Sequence, residues 1–137
     1  MAKTYTITLG GKEWPLRYRP ADAIELKRRF GKPLTTLLRQ DVMGFEERPR
    51  LDGAPGDTHW VSTGTADLEV QIAFLAVGIR DDKGEPSEAK VLGWVTEMMA
   101  AGQNFSPLAV AVWKAACVSG ITGTSFDPEA PEAEGKA

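Results

Sequence analysis

The sequence predicts an α+β, mostly α-helical domain, in which an N-terminal β-hairpin packs on a bundle of about four to five helices. Three observations carry this. Residues 5 to 18 alternate apolar and polar about a Gly-Gly turn. After Pro20 the apolar spacing switches from a period of about two to one of about 3.6. No later segment repeats the alternating pair, and a lone hairpin cannot cover its own apolar face in water, so the helices must cover it.

The elements follow in order. Tyr5, Ile7 and Leu9 share one face of the first strand, and Trp14, Leu16 and Tyr18 share one face of the return strand. Gly10-Gly11-Lys12 supplies a turn that tolerates positive φ. Trp14 and Leu16 are expected to pack on the third or fifth helix. Pro20 opens a first helix over about Ala21 to Phe30, with Ala23, Ile24, Leu26 and Phe30 on its apolar side. Gly31 and Pro33 end it. A short second helix spans about Leu34 to Val42.

Residues 44–65 are rich in Gly, Pro and charge, and are expected to form a long mobile loop or an insertion with Trp60 as its one large anchor. A third helix, about Ala66 to Ile79, is apolar on so much of its surface that it should be central. Asp81-Asp82-Lys83-Gly84 is a turn. Ser87 caps a fourth helix reaching about Ala101, striped by Val91, Val95 and Met98 with Leu92 and Met99 beside them. Ser106 is the expected N-cap of a fifth helix, with Pro107 at its first turn, ending near Ser119 before Gly120. Residues 1–125 thus read as one domain, and the Pro/Glu/Ala-rich residues 126–137 as a disordered acidic tail.

Composition narrows the class. Apolar runs fall well short of the ~20 residues of a membrane span, and the N-terminus lacks a signal-peptide core. Cys117 is the single cysteine, which excludes an intramolecular disulfide. A cytosolic protein without membrane contact is expected. Residues 1–50 carry 11 Lys/Arg against 6 Asp/Glu, and residues 51–137 carry 5 against 13. Lys27-Arg28-Arg29 is the one basic cluster, and Glu25 lies within a turn of it. Nucleic-acid readers interleave such residues with aromatics or place them on a groove-reading helix. A solvated face is therefore the expectation.

No constellation points to catalysis, and neither a cofactor nor a metal is expected. His59 is the single histidine and lies in the Gly/Pro segment, while Cys117 falls on the fifth helix as a small core residue. Together they cannot furnish a four-ligand zinc site. Asp81, Asp82 and Glu85 lack the twelve-residue frame of a calcium loop. Gly10-Gly11-Lys12 lacks the first glycine of a phosphate loop, and Glu13 stands where Ser or Thr would bind magnesium. Binding chemistry is left to aromatic and sulfur side chains. Trp94 and Met99 lie off the main stripe of the fourth helix and, with Trp60, are the candidate partner-binding residues. Trp94 and Trp113 read equally well as core.

The order of these pieces resembles the tail assembly chaperones of long-tailed phages and gene transfer agents. The resemblance lies in the opening YTITLGGKEWPLRYRPADAIELKRRFGKPL, the helical block VQIAFLAVGIR with LGWVTEMMAAG, and SPLAVAVWKAACVSGITG, over roughly residues 4 to 123. It implies a non-enzymatic protein of the infected host's cytoplasm, absent from the mature virion. Such a protein binds the tail tape measure protein and keeps it soluble while tail tube subunits assemble. It also implies a longer frameshifted form that recruits the major tail tube protein, and the closing Gly135-Lys136 can be encoded by a slippery run. Self-association is compatible with this role. Two other readings stay open: a structural tail or head–tail junction protein retained in the virion, and a small nucleic-acid-binding regulator.

Overall fold

The computed structural model describes residues 4–62, 64 and 66–122. The expected acidic tail, 126–137, lies outside the described residues. Strands β1 (Tyr5–Leu9) and β2 (Lys12–Leu16) pair antiparallel, with Tyr5 opposite Leu16 and Ile7 opposite Trp14. Gly10 and Gly11 make the turn at φ 63° and 76°, a region glycine enters without steric cost. The alternation then acts as read: Ile7, Leu9 and Leu16 enter the core, and Tyr18 follows them.

The hairpin is locked onto helix α3 (Leu68–Ile79). The Arg17 backbone N–H donates to the Gly78 carbonyl at 2.8 Å, and the Tyr18 hydroxyl donates to the Phe74 carbonyl at 2.6 Å. Gly78 is what allows this approach. A Cβ there would lie 2.5 Å from Leu16 Cδ1 and 2.9 Å from the Tyr18 ring and hydroxyl. Burial and, secondarily, the nearby Asp22 carboxylate push the Tyr18 phenol well above its usual range, so it stays a neutral donor. Every residue of α3 from Val70 to Ile79 is buried, which makes it the central helix its composition predicts. Asp67 caps it, accepting from the Glu69 N–H at 2.9 Å.

Helix α1 (Pro20–Phe30) starts on Asp22, whose carboxylate accepts from the Arg19 backbone N–H at 2.9 Å and from Arg80 Nη2 at 3.2 Å. Asp22 is only 1% exposed, and these donors compensate its burial. Arg80 also reaches Glu25 at 2.7 Å, tying the end of α3 to α1.

The second helix departs from expectation. A single α-turn, α2 (Leu34–Thr36), opens into a π-helical segment, Leu37–Val42. The wider winding buries Leu37, Leu38 and Val42 together. It also turns the Val42 carbonyl to the Gln71 side chain of α3, which donates to it at 2.9 Å. Within residues 44–65, expected as a long mobile loop or an insertion, the chain forms a second hairpin that the sequence pattern did not predict. Strands β3 (Phe45–Pro49) and β4 (Thr58–Ser62) pair antiparallel, with Arg48 opposite His59. Its tip is tied by Asp57, which accepts from the Ala54 N–H at 3.1 Å, while the Arg50 N–H donates to its carbonyl at 2.9 Å. The first hairpin is therefore not the chain's sole pair of strands.

Helix α4 (Glu88–Ala100) is capped by Ser87, which accepts from the Lys90 N–H at 3.3 Å. In the turn before it, the Glu85 and Lys83 N–H groups donate to Asp81 and hold its carboxyl below the usual range. Helix α5 (Ser106–Ser119) begins one position earlier than its Ser-Pro pair suggests. Buried Phe105 is the N-cap, its carbonyl accepting from the Leu108 and Ala109 N–H groups, and Ser106 is the first helical residue. The molecule is thus α+β and mostly helical, with one apolar core running through β1, β2, α3, α4 and α5.

Leu16 meets α3 at Gly78, as expected, and Trp14 has a partner that the expectation left out: it stacks on Trp94 of α4 with ring centroids 5.5 Å apart and planes at 30°. Its indole N–H donates to the Leu9 carbonyl at 2.9 Å, and Lys12 Nζ sits 4.5 Å over its ring. Stacked aromatic pairs are worth about 1 kcal/mol beyond the area they bury. A double-mutant cycle of Trp14→Ala and Trp94→Ala, read by chemical denaturation, should return a coupling energy of about that size. Additive losses would mean the rings do not support one another.

Candidate protein-binding face

Helix α4 buries Val91 and Val95 in the core, and this fixes what its other side presents. At the helical period, Ala89, Leu92, Gly93, Thr96, Met99 and Ala100 fall on one outward stripe, and all six are exposed. None carries a charge. Leu92 is 45% and Met99 46% exposed, large values for such side chains. The Thr96 hydroxyl donates to the Leu92 carbonyl at 2.7 Å, so its polar atom is engaged within its own helix. Around Gly93 the face is open, since a Cβ there would meet nothing within 4 Å.

The stripe continues into a groove of about 360 Å³ between α4 and the start of α3, floored by Leu68, Ile72, Ala89 and Leu92. Leu68 is itself 42% exposed. Charges sit only on the rim. Arg29 of α1 binds both carboxylate oxygens of Glu88, one of them at 3.0 Å, and lies 3.8 Å from Glu69. The Glu88 hydrogen bond is the chief reason its guanidinium is held above its usual range. On the far flank of the stripe lie Lys90 and Glu97, both exposed. A groove of about 460 Å³ beside the first hairpin is rimmed by Arg17, Arg19, Arg80 and Asp82, and that charged rim suits no apolar ligand.

Of the three residues singled out from sequence, Met99 and Trp94 point apart. Met99 lies on the stripe. Trp94, five residues before it, projects about 140° away and is half-buried against Trp14 with its ring over Gly10. Trp60 belongs to β4, opposite Glu47, and its side chain lies outside the described part of the structure. Leu92, Leu68 and Gly93 are the additions. A signal for Leu92 was present: Ala89, Leu92, Thr96 and Met99 repeat at the three–four spacing of a heptad seam, a second stripe beside the buried one. Of the basic cluster, Arg29 is consumed by Glu88 and Glu69, leaving Lys27 and Arg28 exposed. Cys117 is buried on α5, and burial pushes its thiol up, away from the thiolate a nucleophile needs. His59 is exposed on β4.

No protein-family model, curated protein or solved structure matches this chain. No helix among the described residues is long and apolar enough to cross a membrane.

An open α4 face has a measurable consequence. Gly93→Ala gains helix propensity and meets no neighbour, so it should stabilise the protein by about 0.5–1 kcal/mol in denaturant titration. A loss of stability would mean that another part of the molecule covers this face.

Proposed function

We propose that this chain is a phage tail assembly chaperone, which binds the tape measure protein and keeps it soluble while tail tube subunits assemble. Its place is the cytoplasm of the infected host, and the mature virion lacks it. The observation that carries the reading is the uncharged, exposed stripe of α4 running into the groove at Leu68 and Ile72. A tape measure protein is a long helical chain whose apolar side aggregates when bare. A concave apolar surface with charges confined to its rim accepts such a helix in the groove-binding mode. The resemblance over residues 4 to 123 supports the same role. Leu92, Met99 and Leu68 are the contact residues, and Trp94 acts by holding α4 against the hairpin.

Co-expression tests this. The unaltered chain should keep an otherwise insoluble tape measure protein in the supernatant. Raising salt should weaken the complex little, because screening acts on exposed charges and not on buried apolar area. Leu92→Glu with Met99→Glu should send the client to the pellet. The circular dichroism of the free protein should stay unchanged, since both side chains are exposed. Retained solubilisation by this variant would remove α4 from the mechanism. Binding confined to low salt would point to the basic N-terminal half, and recovery of the chain from purified virions by mass spectrometry would favour a structural tail component.

A further inference from the structure

We propose that the outer face of α4 pairs with the same face of a second copy of this chain, the two helices antiparallel about a two-fold axis near residue 94. The seam residues are Ala89, Leu92, Thr96 and Met99, at the a and d positions of a heptad repeat. In an antiparallel seam each a position faces a d position of the other helix. Ala89 then meets Met99 of the second copy, and Thr96 meets Leu92. Each large exposed side chain thus lies opposite a small one, which is the self-complementarity a two-fold interface requires. Gly93 and Ala100 flank the seam with almost no bulk, so the helices can approach closely. Met99 of the second copy comes to the mouth of the groove floored by Leu68 and Ile72.

Charge selects a second copy, and this orientation, over other occupants. Lys90 and Glu97 stand one heptad apart on the flank that carries Gly93 and Ala100. Neither has an ion-pair partner among the described residues. An axis near residue 94 sets Lys90 beside Glu97 of the second copy, and the symmetry forms the reciprocal pair at the same time. A parallel arrangement would set the Lys90 and Glu97 flank against the opposite flank of the second copy, where Glu88 is already bound by Arg29, and would form neither pair. On the opposite flank Glu88 is already bound by Arg29 of its own chain and so brings no unpaired charge to the interface.

The pairing covers the surface assigned above to the tape measure client, so the dimer is a stored form that the client displaces. That consequence rests on the client reading; the dimer itself does not, and its test needs no client. The full chain is followed by sedimentation equilibrium at low ionic strength. The unaltered protein should be a dimer in equilibrium with monomer. Lys90→Glu or Glu97→Lys alone should weaken it about tenfold, each turning two attractive rim contacts into repulsive ones. The double variant Lys90→Glu/Glu97→Lys should regain dimerisation, and Leu92→Glu should abolish it.

Crosslinking reports the orientation. A mixture of Ala89→Cys and Met99→Cys chains should form a disulfide-linked dimer under mild oxidation. Neither chain alone should, because an antiparallel seam keeps residue 99 about 15 Å along the axis from its own copy. Cys117, being buried, can stay in place. A monomer at every concentration overturns the proposal. So does a dimer indifferent to Leu92→Glu, or a Met99→Cys chain that crosslinks to itself. A dimer that behaves as described but solubilises no tape measure protein leaves the pairing standing and removes the client reading. A monomer that solubilises the client does the reverse.

Discussion

The approach of the first hairpin to α3 at Gly78 is the contact on which the rest of the structure depends. A two-stranded hairpin has no stability of its own in water. Here Leu16 and Tyr18 press onto a helix position with no side chain, close enough for Arg17 to donate to the Gly78 carbonyl. Glycine in a helix interior costs about 1 kcal/mol relative to alanine. That cost is offset by buried Leu16 and Tyr18 and by two hydrogen bonds into α3 that a more distant hairpin could not make. Because Val70 to Ile79 are buried on every side, α3 then serves as the common wall for α1, the π-helical segment, α4 and α5.

The face of α4 follows from that arrangement. With the hairpin fixed on α3, its outer edge offers Trp14, and Trp14 takes Trp94. Val91 and Val95 complete the inward side. The rotation of α4 about its axis is thereby set from two directions, by aliphatic packing on one and an aromatic stack on the other. What remains outward is the uncharged stripe from Ala89 to Ala100. Binding is thus proposed for a surface that the core leaves over, held rigid by residues that do not belong to it.

The sequence was most legible where one periodicity ran uninterrupted. The alternation of residues 5 to 18 and the apolar sweep of Val70 to Ile79 led directly to β1, β2 and α3. Caps at Pro20 and Ser87 placed the starts of α1 and α4 to within a residue. The second hairpin escaped because FEERP and THWVS do not alternate cleanly and are separated by a Gly/Pro-rich run; their pairing is a backbone affair that composition does not record. The π-helical winding of Leu37–Val42 has no sequence signature, since it answers to the Gln71 side chain of another helix. At the candidate face Met99 was readable as lying off the buried stripe. Trp94 was not assignable, because its partner Trp14 lies 80 positions away and only the tertiary fold unites them.

The substitution Gly78→Ala tests the central contact most directly. Alanine is the better helix former by about 1 kcal/mol, so an isolated or loosely packed α3 would be stabilised by it. If the hairpin docks as described, the new methyl group meets Leu16 and the hydrogen-bonded Tyr18 ring, and overpacking of this kind costs about 1–3 kcal/mol. Urea denaturation of the variant should therefore show a net loss of stability. A variant as stable as the unaltered protein, or more stable, would contradict the close approach of the hairpin to α3 and the positioning of α4 that follows from it.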